Sequence, residues 1–455
     1  MKTFFNRHNN YSYHHPGQNT IKRRGYDTVN TLSVLSFLFL FSCSPQRQLA
    51  KAAQENVLKA PGLEHAHVGI SIYSTGSKKY LYNHNGNKYF VPASNTKIPT
   101  TYVAMKYLGD SLPGIKVQEL DDKIILTGTG DPTFLDPEFS NQPVFDFLKK
   151  TSKPVYATKD SIATSAWGSG WAWGDYDADY MPERSSLPVY SNVVWFYGKK
   201  NGAYHYFPKY PGLAVTARGV GDYLTGVDRR LMSNDFTIKL GAPALKEVRV
   251  PFITSVTLQW QLLADTLHKN ITLTDEKISN AYTIYSQPTD SMLTRLMHRS
   301  DNFYAEQTVL MASNALLGSM DNYQFFDTIL KSDFKDLPQK PRWADGSGLS
   351  RYNLFTPQDF VAILEKIKDE FGMERVKTIF PTGGRGTLSA YYKDEAGYIF
   401  AKTGTLSGVL ALSGFLYTKK NELLIFSFLV NNHNMSSTDV RRTVEKFIKS
   451  VREKY

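Results

Sequence analysis

Pro92-Ala93-Ser94-Asn95-Thr96-Lys97 is the stretch on which the reading of this chain turns. If a helix opens at Ser94, the three-residue spacing stacks the Ser94 hydroxyl and the Lys97 ammonium on one face, one turn apart. That sets a nucleophile beside a base. A serine oxygen attacks only once its proton is removed, and a lysine removes it only where burial or a second cation keeps the amine neutral. Pro99 lies five residues after Ser94 and would remove an interior hydrogen bond, so the helix is kinked or begins later than Ser94. Ser-x-x-Lys alone is a weak signal, and it recurs at Ser332 and Lys335 in a polar segment that reads as a solvated loop. The motif therefore needs company.

Upstream, Gln48 to Lys59 reads as a helix, and Val68, Ile70 and Ile72 alternate with small or polar residues at the period of a half-buried strand. A turn follows at Ser74-Thr75-Gly76-Ser77, then a second strand from Lys79 to Phe90, broken at Asn85-Gly86. Far downstream, Thr356-Pro357 is a helix start with Phe360, Ile363, Leu364 and Ile367 as its buried stripe. Val409 to Tyr417 and Glu422 to Val430 read as an antiparallel hairpin, and a terminal helix buries Val440, Val444, Phe447, Ile448 and Val451. Together these predict an α+β fold with an antiparallel sheet covered by helices. Between them, residues 112–286 change texture to short strands, turns and aromatics, a mainly β insertion of one or two subdomains. The catalytic domain is then expected over 44–111 and 287–455. The glycines of Thr127-Gly128-Thr129-Gly130-Asp131-Pro132 read as a strand-ending turn, since no Gly-Lys-Ser/Thr follows to make a phosphate cradle.

Residues 1–43 carry a basic stretch at Lys22, Arg23 and Arg24 and then an apolar run from Leu32 to Phe41, too short to span a bilayer comfortably. This leader reads as an export signal, and Leu40-Phe41-Ser42-Cys43 resembles a bacterial lipoprotein cleavage site with Cys43 as the lipidated residue. An exported protein of the periplasm or cell envelope, held at the membrane by a lipid, is the expectation. Cys43 is the only cysteine, so no internal disulfide holds the fold. Net charge is +11; the leader's five Lys/Arg and one Asp leave +7 for the rest, and there is no block of five basic residues, which argues against nucleic acid. No His-Glu-x-x-His or cysteine cluster suggests a metal, and no cofactor is implied.

Two further motifs, Ser300-x-Asn302 and Lys402-Thr403-Gly404, occur once each and follow Ser94-x-x-Lys97 in chain order. In that order the chain resembles the class C low-molecular-mass penicillin-binding proteins, the D-alanyl-D-alanine carboxypeptidase/endopeptidase family. The resemblance extends to Leu126–Pro132, the Gly170-Trp171-Ala172-Trp173-Gly174-Asp175 loop, Asp345-Gly346-Ser347-Gly348-Leu349-Ser350-Arg351 and Gly386-Thr387-Leu388. It implies a penicillin-recognising serine transpeptidase-like domain. The 206 positions from Ser94 to Ser300 leave room for that family's insertion.

On this resemblance the substrate is the peptidoglycan stem peptide, and β-lactam antibiotics are covalent inhibitors. Ser94 is the expected nucleophile and Lys97 its base, with Lys402 as the second cation that lowers the lysine's proton affinity. Ser300 is expected to relay a proton between Lys97 and the departing amine, and the Asn302 amide to hold the substrate backbone. Lys402, Thr403 and Thr405 would bind the terminal carboxylate, with Gly404 in the same motif. The resemblance gives the backbone N–H groups of Ser94 and Thr405 as oxyanion donors and places Asp175 near the substrate side chain. Asp345 to Arg351 reads as a structural turn. A serine β-lactamase and a non-catalytic wall-binding protein are the alternatives.

Overall fold

The computed structural model describes residues 45–198, 203–221, 225–241 and 246–455. Cys43 and the leader lie outside the described residues, and Ser44–Tyr455 forms one compact unit. The sheet expected from both ends of the chain is there. Its strand order is Ile399–Leu406, Val409–Tyr417, Leu423–Asn431, His67–Ser74 and Lys79–His84, every neighbouring pair antiparallel. The expected hairpin pairs Val409 with Asn431 and Tyr417 with Leu423, while His67–Ser74 inserts beside its second strand.

Both faces of this sheet are covered, which is why its central strands are buried almost without alternation. One face packs on the helices Lys97–Tyr107, Thr289–Arg299, Asn302–Leu317 and Pro357–Ile379. The other face takes the N-terminal helix Pro45–Ala53 and the C-terminal helix Ser437–Lys454, which presents the expected Val440, Val444, Phe447, Ile448 and Val451. Thr356 caps its helix as the sequence indicates, accepting from Asp359 N while Asp359 accepts from Thr356 N, with Pro357 at the first helical position.

Strands between Ser111 and Pro288 pair only among themselves in the described residues, in a five-stranded mixed sheet and two three-stranded sheets with their own apolar core. This region also contains the helices Pro143–Lys150 and Val256–Leu267. Its connection to the catalytic side runs through Asn302–Leu317, buried all round from Phe303 to Ser313. Gln307 on that helix bonds the Gly130 and Ser185 carbonyls and accepts from Ser185 N. No helix among the described residues is long and apolar enough to cross a membrane.

Candidate active site

Ser94 sits in a short 3-10 turn, Ala93–Thr96, and the α-helix begins only at Lys97. Pro99 therefore falls in the first turn, where backbone N–H groups have no partner within an α-helix, and the helix is not broken. The late start costs the Ser–Lys pair nothing: Lys97 Nζ donates to Ser94 Oγ at 3.1 Å. The turn is gripped by two glycines. A Cβ on Gly348 would stand 1.8 Å from the Ala93 carbonyl oxygen, and one on Gly404 would stand 2.8 Å from that of Pro92. Gly404 thus serves close backbone approach, letting the motif strand lie against the nucleophile's turn.

The Lys97 ammonium has three hydrogens and three fixed acceptors: Ser94 Oγ, Asn302 Oδ1 at 2.7 Å and the Ser347 carbonyl at 2.7 Å. Neutral Lys97 keeps two hydrogens. If they stay on Asn302 and Ser347, the lone pair faces Ser94. Burial lowers the pKa of Lys97 to about 8, against the opposing pull of Asp345, Asp301 and Glu306. Burial is the leading cause at Lys97, and the repulsion between the two lysines shows at Lys402.

Lys402 departs further from the expectation. It is wholly buried, and its ammonium donates to Ser300 Oγ at 2.8 Å and the Thr403 carbonyl at 2.7 Å. Burial and then repulsion from Lys97 push its proton affinity well down. Ser300 is accordingly held by Lys402, while Lys97 is engaged elsewhere. Ser300 occupies a left-handed position, φ 60°, as the hinge between the helices Thr289–Arg299 and Asn302–Leu317, the second of which Asp301 caps through Tyr304 N. Asn302 is tied at both ends, its Nδ2 donating to the Tyr180 carbonyl at 3.0 Å.

A cleft opens over Ser94, lined also by Asp175, Tyr180, Asn302, Leu349, Arg351 and Thr405. Asp175 and Thr405 both line this cleft. Thr403 does not: it lines a smaller cavity with Leu388, Tyr391, Leu412 and Arg441. The segment read as a structural turn is in part just that, since buried Asp345 accepts from Gly348 N, Ser350 N, Asn353 Nδ2 and Trp171 Nε1. The same segment supplies the Ser347 carbonyl to Lys97 and Arg351 to the cleft wall, which local sequence did not reveal. Arg351 bonds the Ser407 carbonyl at 2.7 Å.

These motifs coincide with a family assignment, which matches residues 49–206 and 246–454. The chain belongs to the D-Ala-D-Ala carboxypeptidase 3 (S13) family. Among similar proteins, a D-alanyl-D-alanine carboxypeptidase of an Actinomadura species is 24% identical over 83% of this chain and 80% of its own length. The D-alanyl-D-alanine carboxypeptidase DacB of Haemophilus influenzae is 23% identical over 82% and 86% respectively. The crystal structure of penicillin binding protein 4 (dacB) from Haemophilus influenzae superposes with a TM-score of 0.70 at 19% identity, covering 89% of this chain and 98% of the other. At that identity the likeness is one of fold.

In this S13 chain, residues that the motifs do not contain support the site from behind. Glu306, wholly buried, accepts from Ser347 N at 2.8 Å and pairs with buried Arg184 at 3.3 Å. Arg184 in turn donates to the Ser165 and Trp167 carbonyls, just ahead of the Gly170–Asp175 loop. Burial and the nearby Asp345 raise the Glu306 pKa to about 7. A lone Glu inside an apolar helical run is the sequence signal that could have found it. Among the described residues no group of three or more His, Cys, Asp or Glu is placed to hold a metal ion.

Proposed function

We propose that this chain is a penicillin-sensitive D-Ala-D-Ala carboxypeptidase/endopeptidase that hydrolyses peptidoglycan stem peptides through an ester on Ser94. The observation that carries this reading is the Lys97 amine, buried and fixed by Asn302 and Ser347 with its remaining valence toward Ser94. Ser94 Oγ attacks the carbonyl carbon of the penultimate D-alanine as its proton passes to Lys97 Nζ. Backbone N–H groups of Ser94 and Thr405 hold the oxyanion, a contribution of roughly 3 kcal/mol for a single donor. The carbon–nitrogen bond then breaks as the proton that Lys97 took from Ser94 is relayed to the departing amine through the hydroxyl of Ser300, which Lys402 holds, and Lys97 is left neutral again. Water attacks the ester with Lys97 again as base, releasing the acid and restoring Ser94.

Thr405 faces the terminal carboxylate in this scheme, and Asp175 with Arg351 gives the cleft one negative and one positive group for a charged substrate side chain. The catalytic side is assigned to 44–111 and 287–455, with 112–286 as the insertion. The test uses a fluorescent penicillin together with purified disaccharide-peptide monomers and dimers read by mass. Stable labelling with loss of one D-alanine or splitting of dimers is expected. Rapid turnover of the penicillin identifies a β-lactamase, and no labelling a wall-binding protein.

The leader's apolar run, ending at the lone Cys43, supports export with lipidation at that residue, facing the periplasm or cell-wall space. Firm attachment takes two or more acyl chains. Cys43→Ala should release active enzyme into the soluble fraction; a soluble wild type with an unmodified N-terminus other than Cys43 leaves only export.

A further inference from the structure

The cation that the motif offers for a substrate carboxylate does not line the cleft: Lys402 is wholly buried and bonded to Ser300 and the Thr403 carbonyl. Thr405 does line the cleft, together with Ser94. Its hydroxyl has a partner from an unforeseen place: Arg441 Nη2, on the C-terminal helix, donates to Thr405 Oγ1 at 2.7 Å. We propose that Arg441 is the positioning residue for recognition of the substrate's terminal carboxylate, acting through Thr405. The inference rests on the reading that the chain cleaves D-Ala-D-Ala peptides.

The argument is one of hydrogen-bond inventory. A threonine hydroxyl has one hydrogen and two lone pairs. With a guanidinium N–H occupying one lone pair, the hydroxyl hydrogen is turned elsewhere, and the cleft is where an anionic acceptor would lie. Guanidinium carries no acceptor and stays charged at any working pH, so Thr405 cannot turn round to donate to Arg441. Lys402 offers no such fixed donor to Thr405, being buried and bonded to Ser300 and the Thr403 carbonyl.

Arg441 is held in place for this. Its neighbours in the helix, Val440 and Val444, are buried against the sheet, and its side chain shares a cavity wall with Leu388, Tyr391 and Thr403. The guanidinium lies over the Tyr391 ring at 6.0 Å. The rival cation is Arg351, which lines the cleft itself but is bonded to the Ser407 carbonyl. The two arginines make different predictions. Arg441 acts on the group at the peptide's end; Arg351 is assigned to the side chain.

The experiment compares an acylated D-Ala-D-Ala peptide with its C-terminal carboxamide as substrates of the full chain. Wild type is expected to prefer the free acid. Arg441→Gln should lower kcat/KM for the acid roughly 10- to 100-fold, mainly through KM, the loss of one charge-assisted contact, and change the amide by less than about twofold. Arg441→Lys should restore part of the preference and also serves if Arg441→Gln fails to fold. Because the action runs through Thr405, the double variant Thr405→Val/Arg441→Gln should lose no more acid preference than Thr405→Val alone. Equal losses on both substrates would mean a merely structural role and overturn the proposal. So would an unchanged preference, or its collapse in Arg351→Gln instead. A wild type that cleaves neither peptide while folded defeats the functional reading itself, and the carboxylate assignment falls with it.

Discussion

At the scale of single residues, the proposed base Lys97 is an ammonium with an acceptor for each of its three hydrogens, and burial makes it easier to deprotonate than a lysine in water. Buried with its pKa at about 8, it is active in the deprotonated form. Acylation by a β-lactam should therefore rise as pH is raised through about 8, and fall about tenfold per unit below that. Lys402 is depressed as well, so the apparent value belongs to the coupled pair. A flat profile of acylation rate between about pH 6 and about pH 9 would exclude Lys97 as the base. Ser94→Ala removes only the attacking oxygen and should abolish covalent penicillin labelling with the unfolding transition unchanged. Ser332→Ala should label as wild type, because Ser332 is an exposed helix end bonded to the Thr328 carbonyl.

At the scale of elements, the expectation that Ser94 opens a helix gave way to a 3-10 turn followed by a helix from Lys97. The two arrangements differ in what Pro99 does. In an interior turn the proline would cost about 3 kcal/mol, and Pro99→Ala would stabilise the protein. In the first turn it costs nothing, and Pro99→Ala should instead destabilise by less than about 1 kcal/mol, through the freer unfolded chain, with labelling unaffected. Chemical denaturation reads the sign directly. The hinge at Ser300 poses a similar question. Lys97→Ala should slow acylation more than Ser300→Ala, since the base is needed before any leaving-group step. If Ser300→Ala acylates and hydrolyses peptide at the wild-type rate, the serine is only the left-handed link between two helices.

For the molecule as a whole, the buried helix Asn302–Leu317 joins the insertion to the site, and the Arg184–Glu306 pair is its polar fastening. Removing Arg184 leaves Glu306 buried without its cation, so Arg184→Met, which keeps the packing of the side-chain stem, should cost up to roughly 3–5 kcal/mol above pH about 7, where the wild-type carboxyl is ionised. The sign with pH follows from Glu306. Its folded pKa, about 7, is raised above the unfolded value, so below the unfolded value the carboxyl is neutral in both states and the difference between variant and wild type is smallest. Removing Arg184 raises that pKa further, and the stability difference should widen as pH rises through about 7. Denaturation at several pH values tests both size and trend.

What the sequence determined by itself was local. Period-two alternation at Val68, Ile70 and Ile72, the Thr356-Pro357 cap and the apolar stripe from Val440 to Val451 each depend on residues within a few positions, and each element formed where the pattern put it. The order of three short motifs was enough to point to the family. Tertiary structure decided what depends on distance and burial. Lys97 meets Asn302 across 205 positions, and Thr405 meets Arg441 across 36. No local pattern says that Lys402 will be turned inward to Ser300, that Thr403 will line a separate cavity, or that Ser347 will lend its carbonyl. A side chain's type is written in the chain; its proton affinity and its partner are set by what folding removes from water and brings within reach.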